Sequence, residues 1–154
     1  KNLFVMKSIS KSYGVPGLRL GVLASGDVDA IKAIKKGVSI WNINSFAEFY
    51  LQIEEKYHKD YLSSLEKIKK ERNRFFSLLS NMEGLRTIPS EANYIMVEII
   101  NGKKATEITK KLLSEYNILV KDLSMKIKGG EYLRLAVRNT EDNNRLLIAL
   151  KEVL

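Results

Sequence analysis

Ser8-Ile9-Ser10-Lys11-Ser12-Tyr13-Gly14-Val15-Pro16-Gly17-Leu18-Arg19-Leu20-Gly21 is the stretch on which the reading of this chain turns. Apolar residues 3–6 and 18–24 on its two sides read as short strands, and the serines, glycines and proline between them predict a loop. Gly14, Gly17 and Gly21 permit a tight path and close backbone approach. The only charges in the stretch are Lys11 and Arg19, with Arg19 opening the second strand. Taken singly, each reads as a solvated surface charge. Their fixed spacing beside Ser8 and Ser10 asks for a chemical explanation.

Working outward, 154 residues and 17.6 kDa with 45% hydrophobic content suffice for one domain, or a domain plus part of another. Lys and Arg number 26 against 18 Asp and Glu, a formal charge of +8, which admits acidic partners. The absence of Cys and the single His58 exclude a disulfide framework, a thiolate or His-rich metal centre, and a Ser-His hydrolase triad. A reducing, cytoplasmic setting is expected. No apolar run approaches the roughly 20 residues that span a bilayer, so no membrane association is expected. The chain opens at Lys1 without Met and runs directly into an apolar stretch, which reads as a cut end of a longer protein.

Asp27 is placed to cap a helix over 28–36, closed by Gly37. From Ser45, Phe46, Phe49, Tyr50, Ile53 and Tyr57 recur at helical spacing, predicting one buried face. Over 58–82, Leu62, Leu65, Ile68, Phe75, Leu79 and Met82 are expected inward, with Arg72, Arg74 and the neighbouring Lys and Glu residues on a solvated face. No Pro or Gly interrupts 45–82, so a continuous helix is possible. Beyond Gly84 the pattern predicts a strand over 93–99, a helix over 105–116, strands over 118–120 and 132–137, and a last helix capped by Thr140 with Leu146, Leu147, Leu150 and Leu154 on its inner face. Alternation puts Tyr132, Arg134 and Ala136 opposite Leu133, Leu135 and Val137.

The stretch Ser8–Gly21 resembles the lysine signature of fold-type I, pyridoxal phosphate (PLP)-dependent enzymes of the class I/II aminotransferase family, Ser-x-Ser-Lys-x-x-Gly-x-x-Gly-x-Arg-x-Gly, and meets every restricted position. The resemblance implies that Lys11 is the catalytic lysine. Its amine would condense with the cofactor aldehyde, yield it to a substrate amine and then move a proton at the substrate α-carbon. It also implies that Ser8, Ser10 and Arg19 bind the cofactor phosphate, Arg19 through its planar fork.

Trp41-Asn42-Ile43-Asn44 with Ala47, Pro89–Tyr94, Ile118–Asp122 and Tyr132–Val137 are similar to the histidinol-phosphate aminotransferase branch, which threonine-phosphate decarboxylases share. In that branch the Arg of the last strand binds the substrate carboxylate, which falls on Arg134. Asn93 matches a residue near that carboxylate. Thirteen residues before Arg134, where histidinol-phosphate enzymes carry an Arg for the distal phosphate, this chain has Lys121, a point charge without a fork. Trp41 and Asn44 are candidates for the cofactor pocket or a subunit boundary. His58 is expected on the surface, and Arg138 has no role.

The implied architecture is an α/β fragment of a PLP-dependent transferase-like fold: 1–44 from the end of the large, PLP-binding domain, 45–83 a connecting helical region, and 84–154 the small C-terminal domain. Other cofactor contacts of the family, including the Asp at the pyridine nitrogen, belong to sequence upstream of the lysine loop. The implied function of the parent is amino-group transfer between a small amino acid or phosphorylated amine and a 2-oxo acid, by a homodimer. Decarboxylation of a phosphorylated hydroxy-amino acid is the alternative. A non-catalytic module that binds nucleic acid is the remote competitor, and it suffers from basic residues spread among acids without interleaved aromatics.

Overall fold

Asp27 does what its position predicts: its Oδ1 accepts a 2.9 Å bond from the Ala30 N–H and starts a helix at Val28. The computed structural model describes residues 3–154. The chain divides into two compact units, one reaching Leu62 and the other running from Ser63 to Leu154.

In the first unit, β1 (Phe4–Lys7) pairs antiparallel with β2 (Val22–Ser25), Phe4 facing Ser25 and Lys7 facing Val22. Between them, where the sequence predicts only a loop, Ile9–Ser12 forms one helical turn, α1, followed by a 3-10 turn at Pro16–Leu18. The second strand is shorter than its apolar run because that 3-10 turn and Arg19, in a left-handed conformation, occupy its expected start. Helix α2 covers Val28–Lys36 and ends at Gly37, whose φ of −89° makes it a right-handed cap without the left-handed turn common there.

Helix α3 is continuous over Ser45–Ser80, and the division between the units falls within it. Asn44 opens it, accepting from the Ala47 N–H at 2.9 Å. The predicted buried face is not buried in this chain. Phe46 is 79% exposed, Phe49 and Tyr57 are exposed too, and so are Leu62, Leu65 and Ile68 further along. Periodicity correctly groups these residues on one side of a helix; it does not supply something to cover them.

The second unit has the core. Strands β3 (Leu85–Ile88), β4 (Tyr94–Ile99), β5 (Lys121–Asp122) and β6 (Glu131–Ala136) form an antiparallel sheet in the order β3-β4-β6-β5. Ile95, Val97, Leu133 and Leu135 are fully buried, in one cluster with Phe75 and Leu79 of α3, Ile108 and Leu112 of α4 (Ala105–Tyr116), and Leu147 and Leu150 of α5 (Thr140–Val153). Strand β3 is absent from the sequence prediction. It starts after Gly84, whose φ of +84° makes the turn and where an added Cβ would lie 2.9 Å from Asn101 Nδ2. Ile118–Val120 is not a strand: Asn117 ends α4 left-handed, Ile118 N–H bonds back to Leu112 O, and pairing begins only at Lys121. The cap of α5 is Asn139, one residue before Thr140, with Oδ1 2.7 Å from Asp142 N.

Candidate functional site

The lysine segment is closed on itself by Ser10. This residue is only 2% exposed; its N–H and its hydroxyl both donate to the Leu20 carbonyl, at 3.0 and 3.1 Å, and its Oγ accepts from Leu20 N at 2.6 Å. Lys11 and Arg19 are the sequence neighbours of these two latched residues, so the latch turns a spacing of eight residues into a loop whose two cations flank one closure. The Ser10 hydroxyl, expected at a cofactor phosphate, is engaged with Leu20 in this structure. Its single hydroxyl proton is already donated inside the protein, and its part is to hold the loop shut.

Ser8 differs. Its carbonyl accepts from Lys11 N and Ser12 N, while its own hydroxyl makes no hydrogen bond among the described residues. Arg19 does not begin a strand as expected: φ 51° and ψ 42° put it in the left-handed region, a costly conformation for a residue with a Cβ. Lys11 and Arg19 are both exposed, and neither takes part in an ion pair among the described residues. No Asp or Glu precedes Asp27 in the sequence. Two cations without an ion-pair partner and an unbonded hydroxyl, among the described residues, make a donor set that suits a phosphate.

Aromatic residues that the sequence reading did not single out surround this segment. Tyr13 stacks on Tyr61 with ring centroids 4.2 Å apart and planes at 12°, and meets Tyr50 edge-on at 6.4 Å. Tyr61 Oη donates to the Ser12 carbonyl at 3.2 Å. Burial, and secondarily the Tyr13 hydroxyl, push the Tyr61 phenol above its ordinary range, so it stays a donor. Asn44 Nδ2 donates to the Leu18 carbonyl at 2.8 Å, which ties the start of α3 to the residue before Arg19. Trp41, by contrast, is 88% exposed. His58 is on the surface as expected, 2.8 Å from Glu54.

In the second unit the sheet has one covered and one open face. Arg134 is on the open face, directly across from Met96 on one neighbouring strand and Lys121 on the other. Its guanidinium carbon is 5.3 Å from the centroid of the Tyr94 ring. Like charges facing each other across a strand pair repel, so Lys121 beside Arg134 costs stability unless an anion comes to the pair. Asn93 stands at the mouth of β4, with its side chain exposed and its carbonyl accepting from Val137 N at 2.9 Å.

The turn that presents Asn93 and Tyr94 is held by Arg72. This residue was expected on a solvated face; it is 8% exposed, with Nη1 2.7 Å from the Glu91 carbonyl and Nη2 2.5 Å from the Glu91 carboxylate. Ser90 Oγ adds a 2.6 Å bond to the Tyr94 carbonyl. No spacing signal separates Arg72 from its basic neighbours, because what buries it is a loop nineteen residues away in the chain.

Comparison with known proteins covers both units of the chain. The family model "Aminotransferase class I and II" matches residues 1–150. An L-serine phosphate decarboxylase of Sulfurospirillum multivorans is 36% identical over 99% of the chain, which covers 40% of that protein. Histidinol-phosphate aminotransferase 1 of Carboxydothermus hydrogenoformans is 33% identical over the whole chain, covering 42% of its own length. The solved structure of a decarboxylase from Sulfurospirillum multivorans superposes with a TM-score of 0.91 at 36% identity, over 99% of this chain and 39% of that one. The chain thus spans about two fifths of the length of these relatives.

Proposed function

The chain belongs to the class I and II aminotransferase family, and on that premise we propose that the parent protein is a PLP-dependent enzyme acting at the α-carbon of a small phosphorylated amino acid. Enzymes of this family and the related decarboxylases depend on PLP, and the fold is fold type I. When bound, the cofactor supplies an aldehyde that captures amines and a ring that takes up the electron pair of a broken α-carbon bond.

In this reading Lys11 is the residue that bonds the cofactor and then carries a proton to or from the substrate α-carbon. Ser8 and Arg19 hold the cofactor phosphate, and the Ser10 latch keeps Lys11 and Arg19 at one loop closure. Arg134 receives the substrate carboxylate with a two-pronged grip, Asn93 is a further polar group beside it, and Lys121 neutralises a distal phosphate.

The observation that carries the substrate class is the register pairing of Lys121 with Arg134 on an exposed face, two cations for a substrate with two anionic groups. Decarboxylation is the reaction we favour, because the serine phosphate decarboxylase resembles the chain at 36% identity and a phosphorylated α-amino acid has a carboxylate to lose. Aminotransfer is the second reading, supported by the histidinol-phosphate aminotransferase at 33%. The domain division at 44 and 83 and a homodimeric parent belong to the same proposal. The full-length parent with PLP, supplied with O-phosphoserine, O-phosphothreonine and histidinol phosphate, separates the two reactions. Carbon dioxide release without a 2-oxo acid supports decarboxylation. Turnover only with a 2-oxo acid supports aminotransfer, and turnover of neither O-phosphoserine nor O-phosphothreonine sinks the substrate class.

A further inference from the structure

We propose that Tyr61 is a positioning residue for Lys11, holding the lysine segment from α3 through the Ser12 carbonyl and the Tyr13 ring. The inference rests on Lys11 being the cofactor lysine. Its physical basis is the weakness of α1. A helix of four residues cannot stand on its own hydrogen bonds, since nucleation is costly and too few bonds follow it. Something outside the turn must fix it.

Two sets of bonds do so, and they bracket Lys11. On one side is Ser10, latched to Leu20. On the other are Ser12, whose carbonyl accepts from Tyr61 Oη at 3.2 Å, and Tyr13, stacked on the same Tyr61 ring at 4.2 Å. The Ser12 carbonyl lies at the open end of the turn, where helix carbonyls lack a partner within the helix. Tyr13 has further restraints in the Tyr50 edge at 6.4 Å and the Lys7 ammonium 5.4 Å from its centroid. Tyr61 is therefore a single side chain that restrains both residues following Lys11, by a hydrogen bond and by a ring face. An exposed lysine with a long flexible stem gains its direction from the backbone that carries it, and Tyr61 restrains that backbone.

The test uses the full-length parent chain, its Tyr61→Phe variant, which loses the bond and keeps the stack, and its Tyr61→Leu variant, which loses both. Amide hydrogen exchange over residues 9–14, read without cofactor, is expected to speed up about 5-fold in Tyr61→Phe. In Tyr61→Leu it speeds up about 10- to 50-fold, with exchange in β4 and β6 unchanged. Affinity for PLP falls in the same order, and kcat falls while KM for the amino substrate holds within about twofold. Unchanged exchange and PLP affinity in a folded Tyr61→Phe and Tyr61→Leu pair would overturn the inference. Borohydride treatment of wild type with PLP is the control. If Lys11 remains unmodified there, the functional reading fails, whatever the exchange shows, so the two failures are distinguishable.

Discussion

Lys121 and Arg134 face each other across β5 and β6, and the proposed substrate specificity is tested at this pair. Arg134→Lys keeps the charge and removes the fork. It is expected to raise KM for every α-amino acid substrate by about 10-fold or more, because a bidentate charged bond becomes a single one. Lys121→Ala is expected to raise KM for O-phosphoserine by about 10- to 100-fold and to leave an unphosphorylated amino acid little changed. Steady-state kinetics on the parent chain checks both, and equal effects of Lys121→Ala on both substrates would remove the phosphate role. At this scale the sequence was informative about residue types and poor about bonding. Arg134 is an exposed cation on an open strand face, as alternation foretells, whereas Lys11 sits on a helical turn and Arg19 in a left-handed position that spacing does not show. Ser10 and Ser8 look equivalent in the motif, yet only the folded chain shows that one hydroxyl is spent on Leu20 while the other stays free. Arg72 and Tyr61 escape any sequence reading because their partners, Glu91 and Ser12, are distant in the chain.

Among the elements, the junction of α3 and α5 makes the clearest pH-dependent prediction. Glu71 accepts from Arg74 at 2.7 and 2.9 Å, from Asn143 Nδ2 at 2.8 Å and from Thr140 Oγ1 at 2.9 Å. The Arg74 guanidinium, with help from Asn143 and Thr140, holds its carboxyl at about 2, down from the ordinary 4.5. A carboxyl whose folded pKa is depressed contributes stability that is complete above the unfolded value and is lost as pH falls from about 4.5 toward 2. Glu71→Gln is expected to cost about 2–3 kcal/mol at neutral pH, with the difference from wild type vanishing near the bottom of that window. Urea unfolding of both proteins across that range measures it, and a pH-independent difference would refute the linkage. Helices α2, α4 and α5 were legible almost to the residue from their periodicity, with Asp27 marking the start of α2, whereas Lys104 precedes α4 without a side-chain cap and Asn139 caps α5 one residue before the expected Thr140. Strand β3 was not: Leu85-Arg86-Thr87-Ile88 is short, carries a charge, and is fixed by cross-strand pairing such as Arg86 with Glu98. Ile118–Val120 is apolar because Val120 is buried and Ile118 packs against the core, without strand pairing.

For the molecule as a whole, apolar residues are unevenly used. The buried apolar residues of the second unit form one cluster, whereas the first unit buries Leu20 and Ala47 and leaves Phe4, Val5, Met6, Trp41 and Phe46 exposed. A two-stranded ribbon such as β1-β2 is marginal by itself. Composition gives no warning of this, since hydrophobic content is a property of the chain and burial is a property of what packs on it. No described helix is long and apolar enough to cross a membrane. On the proposed function, Lys11 is the residue through which the parent protein bonds PLP. Borohydride reduction of the full-length parent with PLP, followed by mass mapping of its peptides, tests it most directly. A pyridoxyl group on Lys11, absent in Lys11→Ala, is expected; a folded parent with no adduct, or with its adduct on another lysine, would overturn that role.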